Sequence, residues 1–179
     1  MNYFARVDSL PSVSRREQIK MSGAEVAAFL AQERTVTCAT AGPRGWPHMM
    51  PLWYVLRDPP VESPGPRLWS WTYEASQKVR NIERDPRTAL QVECGESYEQ
   101  LRGVMFECEA LVRDDFELVR ALGHEIFARY ASPRGEPPVE ELPAEVDEMI
   151  DKQALKRVAI EFVEVRRTSW DHRKLGGVY

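Results

Sequence analysis

Ser76-Gln77-Lys78-Val79-Arg80-Asn81-Ile82-Glu83-Arg84-Asp85-Pro86-Arg87 lies between two strand-like segments, Leu68-Trp69-Ser70-Trp71-Thr72-Tyr73 and Thr88-Ala89-Leu90-Gln91-Val92-Glu93. A strand, a short helix opening on Ser and Lys, and a second strand make a ready holder for phosphate. The free amides of a helix N-terminus point at the anion, and the helix dipole favours negative charge there. Ser76 adds a hydroxyl, Lys78 a mobile point charge and Arg80 a planar fork. The same run also reads as an exposed basic helix whose charges are simply solvated. Asp85-Pro86 stops the helix, because the residue before proline avoids the helical region.

Outward from this run the chain alternates strand and helix signals. Ser22-Gly23-Ala24-Glu25 is a capping-box pattern, and Val26, Phe29 and Leu30 follow at helical spacing, which predicts a helix from Ser22 to Arg34. Thr35 to Ala41 is a β-branched strand. Gly42-Pro43-Arg44-Gly45 is a turn. Trp46 to Leu56 reads as the return strand, with Pro47 and Pro51 marking an edge, a bulge or backbone left free to face a ligand. The proline-rich segment from Arg57 to Arg67 is a loop. Leu101 to Arg113 alternates cleanly, with Val104, Phe106, Cys108 and Ala110 on one face. Helices are expected from Asp114 to Tyr130 and from Ala144 to Gln153, with a last strand from Leu155 to Arg167. The tail from Trp170 to Leu175 reads as a frayed terminus or as a cover for a pocket. About six strands in hairpin order with peripheral helices predict a mainly β fold, a small antiparallel barrel. The organisation is an N-terminal arm, residues 1–20, and a single domain over 21–179.

Composition narrows the function. A net charge of −4 over 179 residues argues against a general nucleic-acid binder. No apolar run reaches membrane-spanning length, and residues 1–20 lack the apolar core of a signal peptide, so no membrane association and a cytoplasmic location are expected. Cys38, Cys94 and Cys108 have no paired spacing, and His48, His124 and His172 are scattered. Neither a disulfide framework nor a metal site is expected. Gly-x-Ser-x-Gly, Gly-x-Gly-x-x-Gly and Walker A patterns are absent from the sequence.

The ordered set of leading helix, Gly45-to-Leu56 turn and strand, and Lys78-Val79-Arg80-Asn81-Ile82-Glu83-Arg84-Asp85-Pro86-Arg87 resembles the FMN-binding split-barrel superfamily, the pyridoxamine 5'-phosphate-oxidase-like proteins. The likeness runs from about Ser22 to Arg113 and is greatest to the branch using the deazaflavin coenzyme F-420. It implies a six-stranded antiparallel split β-barrel, a homodimer with cofactor at the subunit interface, and an oxidoreductase moving a hydride between F-420 (or FMN) and a small organic substrate. The alternative it implies is a protein that binds flavin, deazaflavin or haem without turnover. By the same resemblance the ring lies against Pro47, His48, Met49, Met50 and Pro51. The phosphate falls to Thr72, Ser76, Gln77, Lys78, Arg80 and Asn81, with Trp71 as a lining residue. His48 is a weak catalytic candidate. On their own, Met49 and Met50 read as core or interface residues, and Trp69, Trp71 and Tyr73 as one apolar strand face.

Overall fold

A capping box opens the principal N-terminal helix. In the computed structural model, described for residues 14–59 and 66–176, Glu25 N donates to the Ser22 hydroxyl and Ser22 N to the Glu25 carboxylate at 2.6 Å. A single turn, α1 (Arg15–Gln18), precedes α2 (Gly23–Gln32), which buries Val26, Phe29 and Leu30. Of the expected arm, residues 1–13 lie outside the described part. Strands follow as β1 (Val36–Ala41), β2 (Pro47–Leu52), β3 (Val55–Arg57) and β4 (Arg67–Tyr73). Then come α3 (Gln77–Arg84), β5 (Arg87–Cys94), β6 (Arg102–Arg113), α4 (Phe116–Ala131), α5 (Ala144–Ala154) and β7 (Arg157–Asp171).

All seven strands form one antiparallel sheet in the order β2-β1-β5-β6-β7-β4-β3. The two strands at opposite ends of this order are consecutive in sequence. Leu52 and Val55 are three Cα steps apart, at most about 11 Å, so the sheet must curl until its ends meet. The ends do not pair, which leaves a seam. This is the split barrel, with seven strands rather than six. The continuous strand expected from Trp46 to Leu56 is instead two strands on the two sides of the seam, because the backbone leaves the ladder at Trp53-Tyr54.

That departure exposes backbone groups that side chains satisfy. Tyr54 N donates to the Tyr130 hydroxyl (2.8 Å), Tyr54 O accepts from Arg129 (2.6 Å), and Trp53 O accepts from the Ser70 hydroxyl (2.6 Å). Arg129, only 9 % exposed, also donates to the Leu30 and Glu33 carbonyls at the end of α2, each at 2.8 Å. One guanidinium therefore fastens α4, the end of α2 and the seam together.

Two apolar layers result. Phe29, Val36, Tyr54, Leu90, Phe106 and Phe162 fill the barrel. Trp71, Val119, Leu122, Ile126 and Ile150 form a second layer between the sheet and α4/α5. Of the shared face of Trp69, Trp71 and Tyr73, Trp71 and part of Trp69 belong to that second layer, while Tyr73 is half exposed. Gly123 is required there, since a Cβ would stand 2.7 Å from the Trp71 ring and 2.9 Å from Ile150. The tail is not frayed. β7 runs to Asp171, beyond the expected Arg167, because residues 167–171 pair with 102–106 and Trp170 packs flat on Gly103. A 3-10 turn, His172–Leu175, then ties Lys174 to Glu25 (2.8 Å) and to the Lys20 carbonyl (2.8 Å). Among the described residues no helix is long and apolar enough to cross a membrane.

Arg129→Ala removes the buried charged donor shared by the Tyr54, Leu30 and Glu33 carbonyls, leaving them only tyrosine hydroxyls, and is expected to cost about 3 kcal/mol. The corresponding fall in Tm, by calorimetry, is roughly 6–12 °C for a chain of this size. A loss under about 1 kcal/mol would show that the seam is held elsewhere. The Lys174 ammonium, with the Ser22 amide behind it, lowers the Glu25 carboxyl from 4.5 to about 2. A depressed carboxyl stabilises above its ordinary pKa, and that contribution drains away as pH falls toward the folded value. Acid unfolding of Glu25→Gln should therefore show a shallower stability loss between pH 4.5 and 2 than the parent chain. Identical acid limbs would remove this contact from the acid response.

Candidate functional site

Helix α3 begins at Ser76, which adopts the extended conformation of an N-cap (φ −72°, ψ 151°) but makes no side-chain cap bond. Its hydroxyl is buried with no hydrogen-bond partner. The amides of Gln77, Lys78 and Val79 have no carbonyl one turn back to meet. Next to them Lys78, 8 % exposed, donates from Nζ to the Thr72 hydroxyl at 2.7 Å. Burial pushes the Lys78 ammonium below its ordinary pKa of 10.5, and the nearby Arg157 charge adds to the fall. Among the described residues neither cation forms an ion pair with a carboxylate. Free amides, an idle hydroxyl and a buried unpaired ammonium form a cradle for a dianion.

Asn81 turns the other way. It is fully buried, donates to the Thr40 hydroxyl at 2.9 Å and accepts from Gln77 Nε2 at 2.8 Å. It fixes α3 against β1 rather than facing the cradle. Arg80 is exposed on the outer side of the helix. Arg84 reaches back to the Ala41 carbonyl, and Arg87 pairs with Asp85 at 2.6 Å.

Strand β2 forms the opposite wall. It pairs with β1 along one edge, Thr40 facing His48 and Thr37 facing Pro51. Beside it a recess of about 370 Å³ is lined by Gly42, Pro43, Trp46, Pro47, His48 and Gln77. His48 Nδ1 is buried there without a partner. Further along the strand, a second recess of about 400 Å³ is lined by Pro51, Trp53, Trp71, Thr72, Phe127 and Arg157, among others. The two recesses are linked through α3, Gln77 lining the first and Thr72, the partner of Lys78, lining the second. The structure thus brings together Thr72, Ser76, Lys78 and Gln77 with Pro47, His48, Pro51 and Trp71. Met49 and Met50 are 59 % and 42 % exposed, so neither is core in the single chain.

Two contributors lie outside the sequence expectations. Arg157 opens β7 and faces Tyr73 across the ladder. Trp53 stacks on Tyr130 with centroids 4.2 Å apart. Only the strand pairing brings Arg157 to the site, and only the break at the seam points Trp53 at it. Among the described residues no group of three or more His, Cys, Asp or Glu could hold a metal ion.

The geometry has counterparts in known proteins. The conserved hypothetical protein Rv2991 from Mycobacterium tuberculosis is 37 % identical, with a TM-score of 0.76 over 93 % of this chain and 95 % of that one. An F420 reductase superposes with a TM-score of 0.55 at 22 % identity, covering 79 % of this chain and 94 % of the other. The haem storage protein HutZ from Vibrio cholerae gives 0.58 at 14 % identity, over 82 % and 93 %. At such identities these last two show the fold alone. No curated protein matches the chain. The family model for pyridoxamine 5'-phosphate oxidase matches residues 22–163, which span both walls of the groove and the barrel around them, and the chain belongs to that family.

Proposed function

We propose that this protein is an oxidoreductase that binds the deazaflavin coenzyme F-420 along β2 and serves hydride transfer to or from a small organic substrate. The observation that carries the reading is the orphaned Ser76 hydroxyl beside the buried Lys78–Thr72 pair at the start of α3. Native structures seldom leave buried polar groups idle, and a phosphate would engage all three. FMN presents the same phosphate and is the alternative cofactor. The likeness to an F420 reductase supports the first choice. The likeness to a haem storage protein makes non-catalytic binding of flavin, deazaflavin or haem the second reading, with the unpartnered His48 ring as its anchor.

When bound, the cofactor supplies the hydride chemistry, and the protein supplies orientation, electrostatics and shelter from water. Lys78 neutralises the phosphate and Ser76 donates to it, while Thr72 keeps the ammonium aimed. The backbone of Pro47 to Pro51 offers its unpaired edge to the polar rim of the ring. The Trp53 and Trp71 rings keep water from the second recess. His48 Nδ1 is placed to hold or pass a proton, the proton that accompanies each hydride otherwise coming from solvent.

The edge strand also supports a homodimer with the cofactor at its interface. Trp46, Met49 and Met50 are all at least 42 % exposed along one edge. Such an unpaired apolar edge is a liability unless a second copy covers it.

Fluorescence titration with F-420 and FMN side by side, with haem followed by absorbance, tests the cofactor. Lys78→Ala is expected to weaken binding by about 1.5–3 kcal/mol, the scale of a charged hydrogen bond. If neither F-420 nor FMN binds the parent chain, the oxidoreductase reading falls. Met49→Glu is expected to shift the mass by light scattering from dimer toward monomer and to weaken cofactor binding with it. A parent chain that is monomeric at micromolar concentration would end the shared-site proposal.

A further inference from the structure

The second recess carries a chemical signature of its own. Its walls are rings and apolar chains: Pro51, Trp53, Trp71, Phe127 and Met149. One charged side chain, Arg157, lines it, and no acidic residue does. Several other partly buried arginines are neutralised by carboxylates, while Arg129 and Arg34 spend their N–H groups on backbone carbonyls. Arg57 is held by Glu125, Arg67 and Arg113 by Glu161, and Arg167 by Glu164. Arg157 has only a long contact to Gln153 Oε1, at 3.4 Å. Its guanidinium is held by rings instead, 4.5 Å from the Trp71 centroid and 4.2 Å from that of Tyr73. Ring contact fixes the plane of the guanidinium while leaving its N–H groups free to fork a carboxylate. A positive charge kept beside a second, buried cation and left without a counter-ion is costly, and an anionic ligand relieves both.

The wall opposite is equally prepared. Trp53 lies parallel to Tyr130, 15° between planes, and Tyr130 is itself fixed by its hydroxyl to the Arg34 and Tyr54 backbone. The half-exposed indole therefore presents a rigid planar surface toward the recess. Rigid aromatic faces bind flat partners at little entropic cost.

We infer that this recess is a substrate subsite for planar organic anions, with Arg157 forking the carboxylate and Trp53 stacking on the conjugated system. The inference names the substrate class for the oxidoreductase reading above and rests on it, since the recess adjoins the phosphate cradle through Thr72. Arg157 is a binding residue for substrate and not for the cofactor phosphate.

Calorimetric titration of the full chain with 2-naphthoate and with its neutral counterpart 2-naphthalenemethanol, each with and without saturating FMN, tests it. The acid is expected to bind at least about tenfold more tightly than the alcohol, the yield of one charge-assisted pair. Arg157→Gln should bring the two within about twofold of each other while weakening FMN binding clearly less than Lys78→Ala does. Arg157→Lys, which keeps the charge and loses the fork, should restore part of the preference and guards against a folding defect. Equal affinity for acid and alcohol in the parent chain overturns the inference. So does competition between 2-naphthoate and FMN, or a loss of FMN affinity in Arg157→Gln as large as that in Lys78→Ala. If neither cofactor binds yet the acid preference persists and depends on Arg157, the oxidoreductase reading fails and the anion subsite stands.

Discussion

Two residues, Trp53 and Tyr54, carry the chain from one end of the sheet to the other, and their backbone groups have to be satisfied without a strand neighbour. Arg129, Tyr130 and Ser70 do this, from α4 and β4. Once they do, β2 becomes an edge whose outer side is free, and the groove beside it exists because the barrel cannot close. A closed barrel would have paired that edge away. The same side chains that hold the seam also set the Trp53 ring on Tyr130, so barrel closure and the shape of the second recess are one problem solved once.

The cradle at α3 shows the opposite economy. In the rest of the molecule buried polar atoms mostly find partners, and even the fully buried Asn81 is satisfied on both sides of its amide. Around the cradle Ser76 and His48 have idle atoms and Lys78 has only a neutral hydroxyl. These two idle atoms lie at the candidate site, as expected when stability is sacrificed for binding, while Glu33 Oε1 and Arg34 Nε are idle at the end of α2. His124, whose Nε2 is likewise idle, sits apart beside Asp147 and belongs to the α4–α5 packing.

Much of this was legible in the residues. The capping box at Ser22 and Glu25 needs only local spacing, and so does the alternation of β6, whose inward face is buried as expected from Val104 to Ala110. The helix opening at Ser76 and the turn at Gly42 to Gly45, with Gly45 at φ 80°, were equally local. The break at Trp53-Tyr54 was not, because the apolar pattern runs through it unchanged and its cause lies 75 and 76 residues away in Arg129 and Tyr130. The extension of β7 through Trp170 was hidden for a similar reason: it depends on Gly103 leaving room for an indole. Arg157 carries no local signal in the sequence, and only strand pairing sets it opposite Tyr73.

The close fit of Gly123 against Trp71 limits how such a protein can diverge. The indole is clamped by a helix that cannot gain even a methyl group there without moving α4 or α5. Drift in ligand preference is therefore channelled toward the side of the recess formed by Met149 and Gln153, on an outer helix that can change without disturbing the barrel. Relatives that share the barrel and the phosphate cradle would then differ first along α5, and the history of their specificities would be written on that one helix.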